Sequence, residues 1–237
     1  YTLAVPEVAA EYDFLGWFTE DGVQLTGADG ESLSAWDPEL GNVTVYARSE
    51  LGLTYEYSAE TDSYTASGSD RTRAMTDIVI PAYYRDGKPV TAVYGFSGYT
   101  NLVSVSIPET VTDIGETTFL NCPLIKQYIV YDVEGVNDPA YRSEDGVIFS
   151  GDGTVLSFYP IAKEDTEYTI PQSVLRIGPS AFRDANVGSD YRPQYIGVLE
   201  KVVLPANLTE IGGYAFLQRG GLKRVGVSGG GRVGWAV

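Results

Sequence analysis

Two carboxylates facing one another across a cleft are the least that general acid–base cleavage of a glycosidic bond requires. The 237-residue chain offers acids for such a pair at Glu164-Asp165 and around Asp184 and Asp190. Nothing in their spacing sets one opposite another, and neighbouring acids in a polar stretch are what a solvated loop carries. A serine nucleophile needs an activating base. Histidine is absent, and none of the lysines (Lys88, Lys126, Lys163, Lys201 and Lys223) follows a serine at S-x-x-K spacing. The Asp-Gly pairs beginning at Asp21, Asp29, Asp86, Asp145 and Asp152 lack the D-x-D-x-D-G loop and distal glutamate of an EF-hand, and so read as tight turns. Cys122 is the single cysteine, which excludes an intrachain disulfide and a thiolate metal cluster. It reads as a small buried hydrophobe. Gly229-Gly230-Gly231 opens no helix and reads as a flexible end, not a phosphate loop. The residues therefore imply no catalytic centre, no cofactor and no metal.

With 32 acids against 16 bases the formal charge is −16 and the isoelectric point near 4.3. That field repels phosphate backbones and anionic headgroups, so nucleic acid and membrane surfaces are disfavoured partners, whereas basic protein patches are attracted. The 43% apolar content is enough for a continuous core. No stretch is long enough to insert into a membrane, and no basic-then-apolar start reads as a signal peptide. The opening at Tyr1-Thr2-Leu3 reads as the interior of a strand, which suggests a mature piece of a longer protein.

The elements that must position any functional side chain come from an internal repeat. Ile78-Val79-Ile80-Pro81 leads, after an insertion, to Val90, Val93, Phe96 and Leu102. Ile107-Pro108 leads to Val111, Ile114-Gly115, Phe119 and Ile125. Ile170-Pro171 leads to Val174, Ile177-Gly178, Ala181-Phe182 and Leu199, and Leu204-Pro205 to Leu208, Ile211-Gly212, Ala215-Phe216 and Leu222. In the last three units the glycine follows the proline by seven residues and the phenylalanine by eleven, on an underlying period of 23. The L-x-x-V-x-I pieces alternate as strands do. Proline ends each strand, because it cannot donate to the ladder. The following glycine is expected to turn the coil at positive φ, and the phenylalanine to fill the space between two walls. One such coil cannot bury its own apolar edge, so the coils must stack.

The pattern I-P-x-x-V-x-x-I-G-x-x-A-F resembles the BspA-like leucine-rich repeats of bacterial surface proteins, over about Leu53 to Val227. Leu53-Thr54-Tyr55 through Tyr64-Thr65-Ala66-Ser67-Gly68 is similar to the hairpin that caps such arrays. The expected fold is mainly β: a leucine-rich-repeat solenoid over 51–237, with a cap hairpin at 53–68, repeats at 75–227 and a flexible tail at 228–237. Within the large insertion, Val147-Ile148-Phe149 and Val155 to Pro160 read as strands belonging to the solenoid wall.

The first fifty residues form a separate pattern. Tyr12-x-Phe14-x-Gly16-Trp17-Phe18 alternates as a strand, Glu20-Asp21-Gly22 turns it, Ser32 to Trp36 suggests one helical turn, and Val43 to Ala47 a closing strand. The G-W and V-T-x-Y-A signatures resemble a partial internalin-type B-repeat (the Listeria–Bacteroides repeat), a small β-grasp-like module over 1–50.

The two resemblances imply a cell-surface or secreted, extracellular bacterial protein that binds a protein or glycan, such as a host or matrix protein. A second reading is an accessory region of a larger surface enzyme whose catalytic domain lies outside this chain. The outward strand positions (Asp77 and Val79, Ser104 and Ser106, Gln127 and Ile129, Glu167 and Thr169, Lys201 and Val203, Arg224 and Gly226) suit such contact. The Arg183–Val198 insertion departs from the period, so coil packing does not require it. Its Arg183, Tyr191, Arg192 and Tyr195 are of the types that anchor interfaces.

Overall fold

The computed structural model describes residues 1–20, 23–35, 43–183, 197–219 and 221–228, which contain no helix. They divide into two compact units, Tyr1–Leu53 with Asp70–Thr72, and Thr54–Ser69 with Arg73–Val237.

In the first unit, β1 (Tyr12–Phe18) pairs antiparallel with β2 (Tyr46–Leu51), and the register shifts between Phe14 and Gly16. Gly16 has φ of 135°, and a Cβ there would collide with the Thr26 carbonyl, so the irregularity requires glycine. Phe14 and Leu25 are buried, Trp17 packs edge-on against Phe14 at 6.0 Å, and its indole donates to the Ala4 carbonyl at 2.9 Å. Asp70–Thr72 belongs here because the Arg71 guanidinium donates to the Asp13 carboxylate at 2.8 Å and to the Ala10 and Tyr12 carbonyls. The closing strand starts three residues later than Val43. The helical turn expected from Ser32 is not formed: Ser32 bridges Thr26, and the Leu33 amide donates to the Leu25 carbonyl at 2.9 Å. The Ser32 and Leu33 amides are thus committed to bonds with residues distant in sequence instead of to a local turn. Trp36 and Asp21-Gly22 lie outside the described residues.

The second unit is a solenoid with two walls. It opens on an antiparallel hairpin, β3 (Thr54–Ser58) and β4 (Ser63–Ser67). The strands β5 (Asp77–Val79), β7 (Ser104–Pro108) and β9 (Gln127–Tyr131) stack in parallel as the first wall, with Tyr131 standing in β9 where β7 ends on Pro108. Between them in the chain come β6 (Val90–Tyr94) and β8 (Asp113–Ile114), which continue from β4 in parallel as the second wall. A second hairpin set follows, β10 (Tyr141–Glu144), β11 (Val147–Ser150) and β12 (Val155–Phe158), all antiparallel. From it the pattern restarts. In chain order come β13 (Glu167–Thr169), β14 (Arg176–Ile177), β15 (Lys201–Leu204), β16 (Glu210–Ile211) and β17 (Arg224–Val227). Strands β13, β15 and β17 form a parallel first wall, and β12, β14 and β16 a parallel second wall. The solenoid is thus two tandem segments, each begun by an antiparallel hairpin. The hairpin at 147–158 belongs to the wall, as expected; its third strand, β10, had no apolar alternation to reveal it.

The repeat positions are the core. Ile78, Ile80, Val105, Ile107, Ile170, Val202 and Leu204 are buried on the first wall, and Val90, Val93, Val111, Ile114, Val174 and Ile177 on the second. Each contributes about 1.5–3 kcal/mol by leaving water. The phenylalanines run between the walls as a column. Phe96 and Phe119 stack at 5.9 Å, and Phe182 and Phe216 at 5.0 Å. Where the segments meet, the second hairpin set supplies the missing rings: Phe158 is edge-on to Phe119 at 6.0 Å, and Tyr159 stacks on Phe182 at 4.8 Å. Phe119 and Phe182 are buried, whereas Phe216, in the last described coil, is only partly so. Cys122 is buried and directs its thiol to the Phe96 carbonyl at 3.0 Å; burial pushes the thiol up to about 11, away from reactivity.

The repeat glycines have a different job from the expected one. Gly115, Gly178 and Gly212 do not take positive φ. They are small because successive coils pass too close for a side chain. A Cβ on Gly212 would lie 2.5 Å from the Pro179 nitrogen, one on Gly178 3.1 Å from the Leu156 carbonyl, and one on Gly115 2.6 Å from the Tyr94 ring. The left-handed turns fall instead on Ser180 and Tyr214, just before the A-F pair, and on Asn121 and Gln218, two residues after the phenylalanine.

Asp145 and Gly146 both take positive φ, as a type I′ turn requires, and join β10 to β11. Asp152 closes the next turn. Its carboxylate accepts from the Ser150 hydroxyl at 2.6 Å, and from the Thr154 amide and hydroxyl at 2.9 Å. These bonds, the Ser150 one foremost, hold its pKa down to about 2, from an ordinary 3.8. A carboxyl lowered in the folded state adds stability that is whole above the unfolded value and is lost as pH falls through the folded one. Between pH 4 and 2, hydrogen-exchange protection of β11–β12 should therefore fall, and less so in Asp152→Asn. Equal acid sensitivity in both proteins would remove Asp152 from this role.

Candidate interaction surface

Strand alternation turns every second residue of the first wall outward, and the parallel register lines these residues up in two rows. In the first segment Asp77, Ser104 and Gln127 are neighbours in one row, and Val79, Ser106 and Ile129 in the other. In the second segment the rows are Glu167, Lys201 and Arg224, and Thr169, Val203 and Gly226. All the outward positions expected from the repeat therefore share this wall, although Ser104 is covered. Its hydroxyl donates to Asp77, and this bond, with one from Thr76, holds the Asp77 carboxyl below its usual range.

The two rows differ in chemistry. In the second segment one row is charged and internally paired: Lys201 meets Glu167 at 2.7 Å, and next to that row Lys223 meets Glu200 at 2.5 Å. The other mixes apolar and small polar side chains, with Val79 at 58% and Ile129 at 38% exposure in line with Ser106, and Val203 in line with Thr169. Exposed ion pairs of this kind add little stability, which leaves their charges available to orient a partner. Nearby, Lys163 is held by Asp145 at 2.9 Å and Asp165 at 3.3 Å and ties the β10–β11 turn to the loop before β13.

Arg183, half-buried, directly follows Phe182, and its Nε is enclosed without a hydrogen-bond partner. It lines a narrow cleft together with Glu116, Phe119, Tyr128 and Phe158. Tyr191, Arg192 and Tyr195 lie outside the described residues. Tyr128 was not singled out from the sequence as a site residue. Its signal was available: it occupies an inward strand position that holds valine at Val105, Val202 and Val225. The acids Glu164 and Asp165 are engaged by Lys126 at 2.6 Å and by Lys163, and do not face one another across a cleft.

Stacked coils of strand, proline and phenylalanine define the class of protein as a leucine-rich-repeat solenoid. The chain belongs to the BspA type leucine rich repeat family, matching it in six copies over residues 75–147 and 157–228. The gap between the two matched stretches falls on the β11–β12 hairpin, where both walls break. No curated protein matches the sequence. Among solved structures it is similar to a leucine-rich repeat protein from Eubacterium ventriosum, with 21% identity and a TM-score of 0.44 over 64% of this chain and 42% of that one. It is also similar to the pneumococcal vaccine antigen PcpA, with 25% identity and a TM-score of 0.43 over 64% and 39% of the two chains. For the T. pallidum leucine rich repeat protein, TpLRR, identity is 23% and the TM-score 0.43, over 73% and 67%. The chain spans about two-fifths of the length of the first two.

Proposed function

We propose that this chain is a non-enzymatic binding module displayed on or released from a bacterial cell, taking a protein or glycan ligand on the first wall. The supporting observation is the pair of outward rows, one carrying the exposed Val79 and Ile129 and the other charged in the second segment, each held in register by the parallel ladder of its segment. The partial B-repeat reading of the first unit places a second surface-protein module in the same chain. The Arg183–Val198 insertion, whose Arg183, Tyr191, Arg192 and Tyr195 are of the types that anchor interfaces, supplies further contacts to the same ligand.

The test uses immobilised matrix proteins and a glycan array, probed with the whole chain and with Val79→Asp plus Ile129→Asp. Both positions are exposed, so the melting temperature should hardly move, while binding to any ligand found should fall at least tenfold. Shortening the insertion to the 23-residue period should weaken the same binding without unfolding the protein. Undiminished binding by the double variant would remove the first wall from the reading. Undiminished binding by the shortened chain would remove the insertion.

A further inference from the structure

Inside the solenoid the stacked rings are phenylalanines, Phe96 on Phe119 and Phe182 on Phe216. On the cap hairpin they are tyrosines. Tyr57, at 44% exposure, packs on Tyr64 at 5.3 Å, Tyr64 on Tyr84 at 4.3 Å, and Tyr84 on Tyr55 at 4.6 Å. The row runs from water at Tyr57 inward to the enclosed hydroxyl of Tyr55. Phenylalanine serves for packing alone; the hydroxyls add the capacity for one-electron chemistry.

Tyr57 and Tyr64 are direct partners across the β3–β4 ladder, so their side chains leave the same face. Each phenol has its own proton acceptor. The Tyr57 hydroxyl donates to the Asp62 carboxylate at 2.6 Å, and the Tyr64 hydroxyl to the Asp86 carboxylate at 3.0 Å. The Lys88 ammonium lies 4.4 Å from the centre of the Tyr57 ring and donates to its hydroxyl at 2.9 Å. A cation so placed opposes positive charge on that ring. An electron taken from Tyr57 must therefore leave together with the proton, and Asp62 is in place to receive it.

We infer that Tyr57 and Tyr64 form an oxidative crosslinking site, where hydrogen peroxide and a haem peroxidase join the two rings as dityrosine. The oxidised haem removes one electron from each phenol, and Asp62 and Asp86 take the two protons. The two neutral phenoxyl radicals then form one carbon–carbon bond between positions ortho to their oxygens. Each of those carbons passes its hydrogen, as a proton through water, to the oxygen of its own ring, which restores both phenols. The pair has lost two hydrogens in all, and one peroxide has become two waters. Tyr57, partly in water, can turn through the short distance that remains between the rings. The bond staples β3, the edge strand of its sheet, to β4, in a chain whose single cysteine allows no intrachain disulfide. Other close pairs lack part of this arrangement. Tyr159 and Tyr168 lie 4.8 Å apart, but Tyr159 is buried beyond the reach of an oxidising enzyme. Tyr84 is nearer to Tyr64, but no carboxylate accepts from its hydroxyl among the described residues. The inference is independent of the first-wall reading, and either can fail without the other.

The test treats the whole chain, at high dilution, with hydrogen peroxide and a haem peroxidase. Dityrosine fluorescence follows the rate, and mass spectrometry of a digest cut at Glu60 and Asp62, between the two tyrosines, maps the product. Peptides carrying Tyr57 and Tyr64 should be found joined within one chain, two hydrogens lighter than their sum. Tyr57→Phe and Tyr64→Phe should each abolish this product, and Asp62→Asn together with Asp86→Asn should slow it at least tenfold. Absence of the product would overturn the proposal. So would linkage of Tyr64 to Tyr84, an unslowed carboxylate variant, or crosslinks through the more exposed Tyr214 that form as fast. Mapping the unaltered chain needs no variant, so it decides the matter even if a substitution disturbs the hairpin.

Discussion

Alanine at Phe182 should lower the unfolding free energy by about 3–5 kcal/mol, and alanine at Phe216 by clearly less. Phe182 is wholly buried, between Tyr159 at 4.8 Å and Phe216 at 5.0 Å, both in stacked orientation. Its removal opens a cavity walled by rings and by backbone held in parallel ladders, which cannot close in. Phe216 sits at the same repeat position, but among the described residues it has an aromatic neighbour on one side only, and it is partly exposed. The repeat makes the two residues look equivalent, so the inequality is a test of the stacking itself. Denaturant unfolding of both variants measures it. A larger loss at Phe216 than at Phe182 would mean that the column is ordered differently.

The second large effect is expected at a position without a side chain. Gly212→Ala should destabilise by about 1–3 kcal/mol, because the added methyl meets the backbone of the preceding coil at Pro179 and Gly178. Backbone in a ladder cannot rotate aside as a lysine or arginine tip can. Gly213 is the internal control. A Cβ there meets nothing within 4 Å and its φ is not left-handed, so Gly213→Ala should be neutral or stabilise by up to about 1 kcal/mol through the unfolded chain. Thermal unfolding of the two single variants gives the comparison. If both behave alike, coil-to-coil approach is not what requires glycine at the repeat position.

These predictions mark the boundary between what is local in this protein and what is not. The alternation of Val105 with Ile107, the proline that follows, and the fixed distance to Phe119 are local facts of the chain. They determine strand, stop and coil, because apolar residues at that spacing have only one way to leave water, namely stacking on the next coil. The tight Asp145-Gly146 turn and the buried character of Cys122 were legible on the same grounds. The purpose of Gly115, Gly178 and Gly212 was not. Positive φ and close approach both select glycine, and only the position of the neighbouring coil separates them. Strand β10 was hidden because its residues, Tyr141-Arg142-Ser143-Glu144, form a strand by pairing with β11 and not through any buried stripe of their own. The helical turn expected at Ser32 gave way for a similar reason, since the Leu33 amide found the Leu25 carbonyl.

The junction cleft depends still more on tertiary structure. Its lining comes from coils more than fifty residues apart, Phe119 and Tyr128 on one side and Ser180 to Arg183 on the other. Composition and spacing determine by themselves that the chain is a stacked β-solenoid with an acidic field. That the stack breaks between β9 and β13, and that Tyr128 and Arg183 line one cleft at the break, follow only from how the two segments pack. Burial of a hydroxyl is a property of its surroundings, and no single stretch of the sequence carries it.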